Sequence, residues 1–108
     1  MKTKTIKQWE KRLKSLGYLG VKIDKENGYF EAGVDIEKWV KKHNLKNQFK
    51  NLLKELKMVR REAYIDVNKE KAYFRNYGLS IISFNELWDL TELVDKEREQ
   101  INNELLEV

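Results

Sequence analysis

A short stretch occurs twice in this chain and sharply narrows the folds open to it. Ile23-Asp24 is followed, after a polar turn, by Tyr29-Phe30, and Ile65-Asp66 is followed in the same way by Tyr73-Phe74. Apolar residues entering and leaving a turn rich in Lys, Glu and Asn are the pattern of a β-hairpin with one buried face. Both copies then run through a glycine, Gly33 and Gly78, into a segment carrying a tryptophan, Trp39 and Trp88. The expected strands are 20–24 and 28–33, joined at Asn27-Gly28, then 62–67 and 71–77. In 108 residues, two hairpins leave room for one sheet and one hydrophobic core.

The remaining segments read as helices. Thr5 is placed to cap a first helix in which Ile6, Trp9, Leu13 and Leu16 share a face, and Gly17 is its natural stop. Asp35 caps a short helix with Ile36, Trp39, Val40 and His43 on one side. After Asn44, a longer helix is expected over 45–60, where Leu45, Phe49, Leu52, Leu53, Leu56 and Val59 fall within an arc of roughly 120°. Leu79 to Ile82 either extends the sheet or forms a connection to the last helix. Ser83 and Glu86 have the spacing of a capping box, so that helix is expected over about 84–106. Its face of Leu87, Leu90, Val94, Ile101, Leu105 and Val108 is apolar, and its final turns are expected to reach the rim of the core or project beyond it. The fold class is therefore α+β: a small single domain over 1–108, with four helices and two hairpins forming one antiparallel sheet. Helix, hairpin, helix is read twice, over 5–43 and 45–106, which raises the idea of a duplicated αββα unit.

Few chemistries are available to such a chain. It has no cysteine, so a disulfide framework, a thiolate metal site and a cysteine nucleophile are all ruled out. His43 is the only histidine, and its place near the end of an apolar helix face suits a helix-end residue with a hydrogen-bonded tip. No phosphate-cradling glycine loop is present. Asp24 and Asp66 sit at matching positions at the hairpin mouths, where each is better suited to capping its own turn than to holding a metal. No catalytic residue, metal or cofactor is expected. The lysine-rich N-terminus is not followed by an apolar run, and no stretch is apolar enough for a membrane span, so a soluble cytoplasmic protein is expected.

Charge is the more informative property. Residues 1–62 carry 17 Lys and Arg against 8 Asp and Glu, while residues 63–108 carry 5 against 10. Within the basic half, Lys46, Lys50, Lys54, Lys57 and Arg61 fall in an arc of about 80° on the third helix. Lys42, with Lys38 and Lys41, continues that row from the preceding helix, and Arg60 lies at its end. A row of ammonium groups binds phosphates and releases counterions, giving affinity without sequence specificity. Tyr64, Tyr73 and Tyr77, on the outer face of the second hairpin, would add stacking platforms for unpaired bases. From Phe84 onward, eight carboxylates face only Lys96 and Arg98.

These charges suggest two roles. The first is a non-enzymatic binding protein acting on nucleic acid or nucleic-acid machinery through the basic helical face. The alternative is a stoichiometric protein inhibitor that sets Glu86, Asp89, Glu92, Asp95 and Glu99 into a groove built for nucleic acid. Small, lysine- and asparagine-rich, cysteine-free proteins of this general character are frequent among accessory proteins of phages and mobile elements, anti-CRISPR inhibitors included. Two blander readings compete: a lysine-rich face that is only solvated, or one neutralised by the acidic helix packing beside it. The apolar seam of that helix would also serve a homodimer.

Overall fold

The computed structural model describes residues 5–58 and 63–107. Val59, Arg60, Arg61, Glu62 at the start of the expected third strand, and Val108 lie outside that range. The elements are α1 (Ile6–Leu16), β1 (Tyr18–Asp24), β2 (Tyr29–Val34), α2 (Ile36–Lys42), α3 (Lys50–Met58), β3 (Ala63–Val67), β4 (Ala72–Asn76) and α4 (Ile81–Leu106). The strands form one antiparallel sheet in the order β1-β2-β3-β4. This is the expected α+β domain, with both hairpins in one sheet.

Period-two alternation decides which face of the sheet is covered. Phe30, Ala32, Val34, Ile65 and Val67 are buried, whereas Glu31 between them is exposed. Against that face pack Trp9 and Leu13 of α1, Trp39 and Val40 of α2, Leu52 of α3, and Leu87, Leu90, Val94, Ile101 and Leu105 of α4. The described residues of the α4 seam, Leu87 to Leu105, are thus taken up by the chain's own core. The last turns of α4 do not project: Ile101 and Leu105 are buried, and Arg12 of α1 pairs with Glu104 at 3.0 Å. No helix among the described residues is long and apolar enough to cross a membrane.

Local chemistry sets most boundaries. Thr5 Oγ1 accepts the Gln8 N–H at 3.2 Å and Gln8 Oε1 accepts the Thr5 N–H at 2.8 Å, closing a reciprocal cap on α1. Gly17 ends it at φ 111°, and a Cβ there would lie 2.7 Å from the Trp39 backbone. In the first hairpin Asp24 caps its own turn, accepting the Asn27 N–H at 3.0 Å. The second hairpin departs from expectation. Its cap is Asn68, whose side-chain oxygen accepts the N–H groups of Glu70 and Lys71 at 2.8 and 2.9 Å. Asp66 cannot do this, because it lies inside β3, paired with Gly33 and Tyr73.

Two helix starts also differ. Residues 46–49 form turns, and α3 begins at Lys50. The last helix begins three residues earlier than expected, at Ile81. Its N-cap is Ser80, whose hydroxyl accepts the Ser83 N–H at 3.3 Å, while Glu55 accepts the Ser80 N–H and O–H, each at 2.9 Å. Ile81 and Ile82 therefore belong to the first turn of α4. Ser83 is not a cap; it is buried in the helix and donates to the Asn51 carbonyl.

Candidate functional site

The carboxylates of α4 separate into inward and outward sets. Glu86, expected as half of a capping box, instead reaches across to α3, where Oε1 accepts the Leu52 N–H at 2.8 Å and Oε2 accepts from Asn51 Nδ2 at 2.7 Å. A carboxylate at a helix N-terminus satisfies free N–H groups and complements the helix dipole. Asp95 is similarly engaged, taking the Ala72 N–H at 2.7 Å and Arg98 Nε–H at 2.8 Å. Burial pushes its carboxyl up, but the hydrogen bonds from Arg98 and Ala72 and the Arg98 charge outweigh burial and hold it below the usual range. Asp89, Glu92 and Glu99 remain exposed, Glu92 accepting from Trp88 Nε1 and Glu99 facing Arg98 at 3.6 Å.

A further carboxylate, Glu97, ties three elements together. It accepts from Tyr18 Oη at 2.6 Å and from Trp39 Nε1 at 3.1 Å, and its other oxygen meets His43 Nε2 at 2.6 Å. The His43 ring stacks on Trp39 with centroids 3.7 Å apart, and Nδ1 faces the Trp39 carbonyl oxygen at 2.6 Å. Burial and the neighbouring Glu97 charge raise the Tyr18 hydroxyl far above its ordinary value. His43 thus has the hydrogen-bonded, helix-end place expected of it. Through Glu97 the cluster joins Tyr18 of β1, Trp39 of α2 and His43 to α4 and fixes those elements against each other.

The basic row has a different setting. Lys50, Lys54 and Lys57 lie within about 60° of each other on α3, opposite the side that buries Leu52, and all three are exposed. Lys57 pairs with Glu37 of α2 at 3.2 Å, which places the start of α2 beside the end of α3. Lys46, Lys50 and Lys54 have no carboxylate within ion-pair distance among the described residues. Lys46 lies in the turn before α3, and with Lys41, Asn44 and Asn47 it lines an open hollow of about 430 Å³. Asn44 holds the turn in the left-handed region at φ 58°. Lys38 and Lys42 are exposed on α2. Asn44 was expected only as a break and Asn47 inside the helix over 45–60, and nothing local shows that a turn brings both beside Lys41.

The sheet face away from the helices carries Tyr64 and Tyr73, with Tyr77 just beyond β4 and 58% exposed. Arg75 donates to Tyr64 Oη at 3.2 Å and lies over its ring. Glu31 and Asp66 share that face, so it is not uniformly basic. Among the described residues no three metal-ligating side chains come together. No protein-family model, curated protein or solved structure matches this chain.

Proposed function

We propose that this protein is a non-enzymatic binder of nucleic acid, acting through the surface formed by Lys41, Lys46, Lys50 and Lys54. The observation that carries the reading is the uncompensated state of the row. Lys46, Lys50 and Lys54 are exposed and unpaired among the described residues, although the chain holds 18 carboxylates that folding had the opportunity to place beside them. Lysines kept clear of carboxylates on one side of a fold present a continuous positive potential, which attracts polyanions over a Debye length. At the end of the row the hollow adds two side-chain amides, whose N–H groups suit a phosphate oxygen.

Binding of this kind is backbone-directed and weakly selective. It rests on phosphate contacts, so affinity falls steeply with salt. The exposed tyrosines of the sheet are a separate surface, and the row does not depend on them. The inhibitor reading keeps only Asp89, Glu92 and Glu99 of its five carboxylates, because Glu86 and Asp95 already bind backbone N–H groups inside the chain.

The test is direct titration of fluorescently labelled single-stranded DNA, duplex DNA and RNA at low salt. Saturable binding of at least one polymer, weakened by added salt, is the expected result. Absence of binding to all three at low salt would end this reading.

A further inference from the structure

The strand β4 ends the sheet order, so one of its long sides has no strand partner among the described residues. Which backbone groups point that way is set by the register. Asn68 N–H donates to the Lys71 carbonyl at 2.9 Å, and the ladder then pairs Val67 with Ala72, Asp66 with Tyr73 and Ile65 with Phe74. In an antiparallel ladder the bonding direction alternates, so Tyr73 and Arg75 turn their N–H and C=O toward β3 while Ala72, Phe74 and Asn76 turn theirs outward. The Ala72 N–H does point outward, and its partner is not a strand but the Asp95 carboxylate of α4. That oxygen stands where the carbonyl of a neighbouring strand would.

Asp95 lines a groove of about 680 Å³ between β4 and α4. Its strand wall is Ala72 to Phe74, and its helix wall includes Trp88, Thr91 and Glu92. Trp88 is 52% exposed and makes edge contact with Phe74 at 5.7 Å, and Phe84 completes the aromatic cluster. An indole half in solvent beside open strand donors and acceptors combines the two elements of strand addition: backbone bonds for affinity and an apolar pocket for alternate side chains.

We infer that the groove between β4 and α4 is a docking site for an extended peptide segment of another protein, which adds as a fifth strand at Phe74 and Asn76 and sets an apolar side chain against Trp88. A second copy of this chain does not fit. Antiparallel two-fold pairing of β4 with its own copy would bring the strands about 4.8 Å apart and place both copies of α4 on the same side of the joined sheet. Helices about 10 Å across, each flooring its own groove, would then claim one volume. A single extended segment has no such helix to place. This site is separate from the basic row and does not depend on it.

The test uses the whole protein and a random twelve-residue peptide display library. Enriched peptides are expected to alternate apolar, mainly aromatic, residues with polar ones. A synthetic peptide from the enriched set should move the amide resonances of Phe74 and Asn76 and protect them from exchange. Trp88→Ala and Asn76→Pro should each weaken it at least tenfold. The proline removes an outward N–H from an edge strand and leaves the β3 ladder untouched, and circular dichroism of both variants should match the wild type. Nucleic-acid titration of both variants should also be unchanged, which separates failure of this site from failure of the basic row. The inference is overturned if no peptide is enriched, if bound peptide perturbs other amides, if folded variants bind as the wild type does, or if the protein dimerises through this edge.

Discussion

Glu86 Oε1 accepts the Leu52 N–H at 2.8 Å, so a carboxylate of the acidic helix α4 caps the start of the basic helix α3. The two halves of unlike charge therefore meet through a backbone contact, and the lysine row is left facing solvent. If that contact orients α3, removing it should be felt in stability. Glu86→Ala is expected to cost about 1–2 kcal/mol, in the range of a lost helix cap, and Glu86→Gln, which keeps an acceptor oxygen, less than half of that. Urea denaturation with an unchanged m-value is the check.

Gly17 is required on two grounds, its φ of 111° and the 2.7 Å approach of a Cβ to the Trp39 backbone. Gly17→Ala should destabilise by at least about 2 kcal/mol, because the obstacle is main chain and cannot swing aside. The same denaturation experiment measures it.

Tyr18 gives an alkaline prediction. Burial and Glu97 hold its ionisation above the ordinary value of 10.0, so the unfolded chain releases this proton first. The stability it contributes is complete below pH 10 and falls as pH rises above it, by up to about 1.4 kcal/mol per unit for one group. Tyr18→Phe should flatten this part of the stability curve. Thermal melts between pH 8 and 11 would show the difference in slope.

Asp95 gives the acid counterpart. Its carboxyl is held below the ordinary value of 3.8 by Arg98 and the Ala72 N–H, which together outweigh burial. The contribution is present above the unfolded value and is lost as pH falls through the lower folded one. Wild type should therefore exceed Asp95→Asn in stability at pH 7, with the gap closing below about pH 4. Paired denaturation curves at pH 7 and pH 3 test this.

Features legible in the sequence were those with local causes. Asn27-Gly28 announced its hairpin, Gly17 its helix end, and the lysines at three- and four-residue spacing their common face. Features that escaped it had partners far along the chain. Ser83 was the cap expected from local rules, but the cap is Ser80, whose N–H and O–H are held by Glu55, 25 residues away. Glu86 looked like the closing half of a local box, yet its backbone partner is 34 residues distant. Glu97 reads as one more acid on an acidic helix until β1 and α2 bring Tyr18, Trp39 and His43 to it. Lys46 was expected on a helix face and instead sits in a turn, where it meets Lys41 across a hollow that no periodicity describes.

Contact between phosphates and the pair Lys50 and Lys54 is what the proposed function stands on, and salt dependence measures it. Binding constants for a labelled oligonucleotide should be taken across a salt series for the wild type and for Lys50→Gln/Lys54→Gln. The double variant is expected to bind more weakly, with a log–log salt slope smaller by about 1.4 on single strands or about 1.8 on duplex DNA, two contacts' worth. An unchanged affinity and slope in the double variant would contradict phosphate contact by these lysines.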